Sequence, residues 1–250
     1  MAQNGTTAGM TIDLSSAPQS CNHCILGKQT CSSVLKEREG ARSTDQLGQV
    51  HIDLSGPHSI LSHSGFRYIM NFIDNYSGYC WTQLLRAKSD AFNAFQTWQL
   101  ATENWIGSKL CYVVTDNSEL QSGEMADWCA ERGITHQFTA PHTSAQNGHI
   151  KRLHHTLMER SWAMRLSCGT PSNLWDEFII TMLYLTILTA SHSLRGRTPY
   201  ELWFGSKPSL NHLHEIGCKA FVLINGHNPK IAARSIECVL IGYASSVKAY

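Results

Sequence analysis

Two short apolar runs in this chain each close on an aspartate: HIDLSGP at 51–57 carries Asp53, and VVTDNSEL at 113–120 carries Asp116. A strand that ends in an acidic residue delivers its carboxylate to the crevice at the sheet edge. Two such strands side by side make a hard-oxygen site suited to a divalent ion such as magnesium or manganese. Two ions about 3.5–4 Å apart activate a water or hydroxyl and steady the leaving oxygen of a phosphodiester, with a third carboxylate completing the second ion's shell. Taken singly, each aspartate reads more readily as ordinary strand-end or turn chemistry, since Asp-Asn at 116–117 favours a turn.

The run of elements around them is α/β. Val50–Leu54, Gly65–Asp74 and Tyr79–Leu85 read as three strands, the last two joined by a turn at Asn75-Tyr76-Ser77-Gly78. Ser89 can cap a helix in which Phe92, Phe95 and Trp98 or Gln99 recur at near-helical spacing, as core residues do. Leu110–Val114 is a compact strand, 123–132 a helix stopped by Gly133, and Ile134–Phe138 a fifth strand. A long helix is predicted from Ser144 to about Leu166, another over Pro171–Ala190, and short β-type runs at Ala220–Ile224 and Glu237–Tyr243. Periodicity alone supports only the α/β class.

Composition excludes several alternatives. With 250 residues and 42% hydrophobic content the chain can bury a sizeable core, so it is not a disordered protein. The formal net charge of +1 gives no overall polycationic signature, so any nucleic-acid contact must come from local patches. Nine cysteines, an odd number without a secretory leader, point to free thiols in a reducing, intracellular compartment. The apolar stretch Ile179–Ala190 is broken by threonines and falls short of the ~20 residues a membrane span needs; it reads as a buried helix, and no membrane partner is expected.

Seven ordered segments make the reading sharper. CNHCILGKQT (21–30), HIDLSGP (51–57), YIMNFIDNYSGYCW (68–81), TDNSEL (115–120), FTAPHTSAQNGHIKRLHHTL (138–157), TPYELWFGSKP (198–208) and HLHEIGCKAFV (212–222) resemble the integrase of copia-type retrotransposons, particularly the fungal kind. The resemblance implies an RNase H-like fold, a mixed five-stranded sheet flanked by helices, followed by the start of an SH3-like β segment. It implies a leader and remnant zinc module over 1–47, a catalytic core over 48–205, and a truncated C-terminal β domain over 206–250. It further places the first two catalytic, metal-binding carboxylates at Asp53 and Asp116. The third is a glutamate shortly after the QNG triplet, and at that position this chain has Lys151.

A lysine there is hostile to the expected chemistry. At roughly 5 Å an ammonium repels a divalent ion by about 6–7 kcal/mol even at an effective dielectric of about 20. A weak or partial magnesium or manganese site is therefore expected, in a copy decayed from an active element, with Glu119 as a spare ligand candidate. The resemblance also implies DNA partners (element ends and target), with RNA as a further one, a homo-oligomer, and a place in the nucleus for a working copy. Gln146, Asn147, Arg152, His154 and His155 become candidate nucleic-acid contacts, against the plainer reading of helix caps and a solvated face. Cys21 and Cys24 have the spacing of half a zinc site, but no histidine precedes them where the family's module has its other ligands, so zinc is not expected.

Overall fold

The computed structural model describes residues 42–116, 120–138, 148–224 and 233–243. Strands β1 (Val50–Ser55), β2 (Tyr68–Asp74), β3 (Cys80–Leu85), β4 (Tyr112–Thr115) and β5 (Thr135–Phe138) form one sheet in the order β3-β2-β1-β4-β5. The first three are an antiparallel meander, and β4 and β5 lie parallel to β1. Helix α1 (Ala91–Ile106) makes the crossover from β3 to β4, and α2 (Gly123–Arg132) joins β4 to β5. Helices α3 (Gly148–Ser167), α4 (Trp175–Leu188) and α5 (Pro199–Phe204) follow, and then a separate two-stranded ribbon of β6 (Lys219–Leu223) and β7 (Ser235–Val239).

The β2–β3 turn is built on Asp74. Its carboxylate accepts the backbone N–H groups of Leu47 and Ser77 at 3.1 and 2.8 Å and the Ser77 hydroxyl at 2.6 Å. Burial raises its pKa above the ordinary value, and those hydrogen bonds oppose the rise. Gly78, at φ 70°, supplies the left-handed residue the turn needs.

Each face of the sheet takes its own helices because strand side chains alternate. Met70 and Phe72 point to the α1 side, where Phe72 stacks on Trp98 at 4.2 Å and both are buried. Ile69, on the opposite face, meets Trp175 and Ile179 of α4, and α3 packs on both β1 and β2. In α3 the buried residues Ile150, Leu157 and Ser161 share one side, and Ser161 Oγ donates to the Phe178 carbonyl at 3.1 Å. α5 starts with Thr198 accepting from Glu201 N and Pro199 at its first position, then buries Trp203 against Tyr79 at 5.2 Å. TPYELW is thus a capped helix whose tryptophan closes the core.

Element ends differ from the sequence expectation for local reasons. β2 begins at Tyr68 because Gly65, at φ 87°, turns the chain and donates to Ser62 O. β4 begins at Tyr112 because Leu110 N is taken by the Glu103 carboxylate at 3.0 Å, which also holds Lys109 Nζ at 2.8 Å. A 3-10 turn at Ser172–Leu174 precedes α4. The whole segment Ser172–Leu194, with mean hydropathy 1.3, is long and apolar enough to cross a membrane, contrary to the shorter count over Ile179–Ala190. Here its residues Trp175, Phe178 and Ile179 are buried beside α3 and the sheet.

The Phe72–Trp98 stack ties the central strand to its crossover helix. Phe72→Ala is expected to cost about 3–5 kcal/mol, read from the urea midpoint, whereas Leu100→Ala on the exposed side of α1 should stay within about 0.5 kcal/mol.

Candidate active site

Register brings the two aspartates together. β1 pairs parallel with β4 through Val50↔Val113 and His51↔Val114. Carried forward, the same register sets Asp116, the residue after β4, beside Asp53, on strands about 4.8 Å apart. Across the other edge of β1, Asp53 stands opposite Asn71, and Asn71 opposite Thr82. Partners in register share a face, so Thr82, Asn71, Asp53 and Asp116 form one polar row across four strands, on the side covered by α3. On the α1 side of the same edge, a small crevice walled by Leu54, Met70, Ala91 and Leu120 borders both aspartates.

Helix α3 is fixed to that row by one contact. Thr82 Oγ1 donates to Asn71 Oδ1 at 2.6 Å, which leaves the Asn71 amide nitrogen to donate to His154 Nδ1 at 2.9 Å. His154 therefore presents a lone pair at Nδ1 and carries its proton on Nε2. Burial first, then the nearby imidazoles of His58 and His155, push its pKa down to about 4. His58, itself lowered by burial, lies against Trp175 at 4.7 Å.

The candidate residues separate accordingly. His154 turns inward and accepts from Asn71 through Nδ1, which leaves Nε2–H as the ring's one donor. Lys151 and Arg152 are exposed on the first turns of α3, and His155 Nδ1 sits 3.3 Å from Glu159. Gln146, Asn147, Glu119, Cys21 and Cys24 lie outside the described residues. Among the described residues no three His, Cys, Asp or Glu side chains cluster as a metal site. Asn71 and Thr82 escaped the sequence reading. A signal existed, for Asn71 interrupts an otherwise apolar strand on the face opposite Met70 and Phe72.

The unfolded chain protonates His154 near the ordinary 6.5 and the folded chain only near 4, so its contribution to stability is present above 6.5 and is lost as pH falls through that window. Between pH 7.5 and 4.5 the wild type is expected to lose more stability than His154→Gln, by about 1–2 kcal/mol after allowance for the ring's partial exposure, in paired urea titrations.

Comparison with known proteins gives this geometry a lineage. Residues 218–250 match the family described as the retroviral polymerase SH3-like domain. The chain is 32% identical over 232 residues to the retrovirus-related Pol polyprotein from transposon TNT 1-94 of Nicotiana tabacum, covering 92% of this chain and 17% of that protein. It is 27% identical over 236 residues to the corresponding polyprotein from transposon RE1 of Arabidopsis thaliana, covering 92% and 16%. The chain thus spans only 16% to 17% of the length of these curated relatives. Both are from plants, and neither speaks to a fungal source. Among solved structures, the simian T-cell lymphotropic virus intasome in complex with PP2A regulatory subunit B56 gamma matches with TM-score 0.55 at 15% identity, over 88% of this chain and 76% of that one, a likeness of fold. This chain is therefore homologous over nearly its whole length to one part of the retrovirus-related Pol polyproteins of transposons, shares its fold with the intasome chain, and ends in a segment that matches the retroviral polymerase SH3-like domain.

Proposed function

We propose that this chain descends from a polynucleotidyl transferase that joined element ends to target DNA, and that Lys151 disables it. The observation that carries the reading is the shared register of Asp53 and Asp116 at the carboxyl edge of the sheet. Two adjacent carboxylates are the hard-oxygen donors that magnesium or manganese prefers, and Asp53 and Asp116 are the residues that would hold it. Such an ion, when bound, supplies Lewis-acid chemistry at a phosphodiester. The rest falls to the chain itself. Asn71 and Thr82 fix the row beside Asp53, and α3 covers it while showing Arg152 to solvent, where a DNA phosphate can be met.

Lys151 favours a second reading, in which the fold persists as a non-catalytic relic or a host-adopted nucleic-acid-binding protein. An ammonium on the helix that flanks the row weakens any divalent site there and adds attraction for phosphate. In either reading the partners are DNA, with RNA as a further one, and the family resemblance supports a homo-oligomer acting in the nucleus.

Strand transfer on a labelled duplex carrying the element's ends, with magnesium and with manganese, separates the readings. The unmodified chain is expected to give no product, and Lys151→Glu to raise product by on the order of 100-fold or more over background. Product from the unmodified chain would overturn the disabling role of Lys151. Silence in both would leave the relic reading.

A further inference from the structure

We propose that the loop joining β1 to β2 is an acid-released strap: the neutral ring of His58, packed on Trp175, holds the loop against the start of α4, and protonation of that ring lets it go. The strap leaves β1 just beyond Asp53, but the inference does not depend on what the two aspartates do.

Three contacts seat the loop. The His58 ring lies on the Trp175 indole with centroids 4.7 Å apart. Trp175 Nε1 donates to the Ile60 carbonyl at 2.9 Å, and His63 N donates to the Asn173 carbonyl at 2.7 Å, in the 3-10 turn that precedes α4. At the neck, His58 N donates to the Arg67 carbonyl at 2.8 Å. The loop's ends are thus fixed to the sheet, while its middle is held by the short stretch from Asn173 to Trp175. Ile60 and Leu61, the apolar side chains at its tip, are exposed, so burial adds little to those contacts.

His58 is the titratable member of this set. Its Nε2 is buried and has no hydrogen-bond partner among the described residues. A neutral ring can leave that nitrogen as a bare lone pair, with its proton on Nδ1. The imidazolium would place an N–H and a positive charge there with nothing to accept them. Burial accordingly lowers the His58 pKa from its ordinary value. Neighbouring charges do not rescue the cation. On α3, His154 stands near enough that a charge on His58 disfavours one on its own ring, and His155 is paired with Glu159 at 3.3 Å. On α4, Asp176 Oδ1 accepts from Glu177 N at 3.1 Å, and Glu177 interacts with His63 of the loop. Burial, then Asp176, raises the Glu177 pKa, so acid also weakens that attraction. Arg67, exposed at the neck, is cationic throughout. Acid therefore drives the His58 ring out to water, and the stack on Trp175 goes with it.

The test is hydrogen exchange on the full chain, with rates normalised to the intrinsic rate at each pH. The reporters are the Trp175 indole N–H and the His63 amide, with the Phe72 amide in β2 as a core reference. The ring's contribution is fully present above the unfolded pKa of about 6.5 and is lost as pH falls through the lower folded one. Protection at both reporters is expected to fall below about pH 6.5 by up to about tenfold per pH unit, the slope one proton can drive, while Phe72 holds. His58→Phe keeps an aromatic ring on Trp175 that cannot be charged, and should hold both reporters level. His154→Gln should release as the wild type does. A response that survives His58→Phe, or disappears in His154→Gln, overturns the proposal, as does loss of the Phe72 reference in step with the loop. Ring carbon shifts of His58 in the wild type mark its protonation without any substitution. Protonation with undiminished protection at Trp175, or with the firmer seating that a cation on an indole face would give, overturns it as well.

Discussion

The parallel pairing of β1 with β4 is the constraint on which the rest of the molecule depends. In an antiparallel arrangement, Asp53 and Asp116 would close their strands at opposite edges of the sheet, and no helix could cover both. A parallel neighbour requires a crossover, and α1 supplies it by stacking Trp98 on Phe72 while Gly107, at φ 74°, ends the helix in time for β4. The meander of β1, β2 and β3 then leaves the edge of β1 that faces β4 unoccupied, and β4 fills it. The acidic row is therefore a product of chain connectivity before it is a product of side-chain chemistry.

Most of that connectivity was legible in the order of strand-like and helix-like runs, because the strands are short, apolar and set off by turn residues such as Asn75 through Gly78. The two aspartates were legible too, since each closes such a run. Lys151 stood out only by resemblance, for nothing in helical periodicity marks it. The Thr82–Asn71–His154 chain was not read from sequence because its members lie far apart in the chain and meet only once β2, β3 and α3 are assembled. The inward turn of His154 was not legible for the same reason. On a bare helix it is one polar residue among several, and only the sheet beneath it decides that it faces inward.

Burial and polarity sit unusually close together at this face. Asn71 is fully buried between the apolar partners Met70 and Phe72, yet it satisfies both ends of its amide. A half-satisfied amide at that depth would cost about 1–3 kcal/mol, so the hydroxyl on one side and the imidazole on the other have to arrive together. That requirement links the seating of α3 to the correct pairing of β2 with β3. The ribbon of β6 and β7 is tied to α4 through Thr181 Oγ1 donating to the Ile241 carbonyl.

Trp203 has a temporal consequence. It is buried among Tyr79 and Trp81, and its carbonyl accepts from Gln46 Nε2 across 157 positions of sequence. A chain emerging from the ribosome cannot seal this side of the core until that tryptophan is outside the exit tunnel. The meander must wait, partly open, through the synthesis of four helices. By the same contact, a cleavage ahead of α5 would release a core lacking its last aromatic wedge.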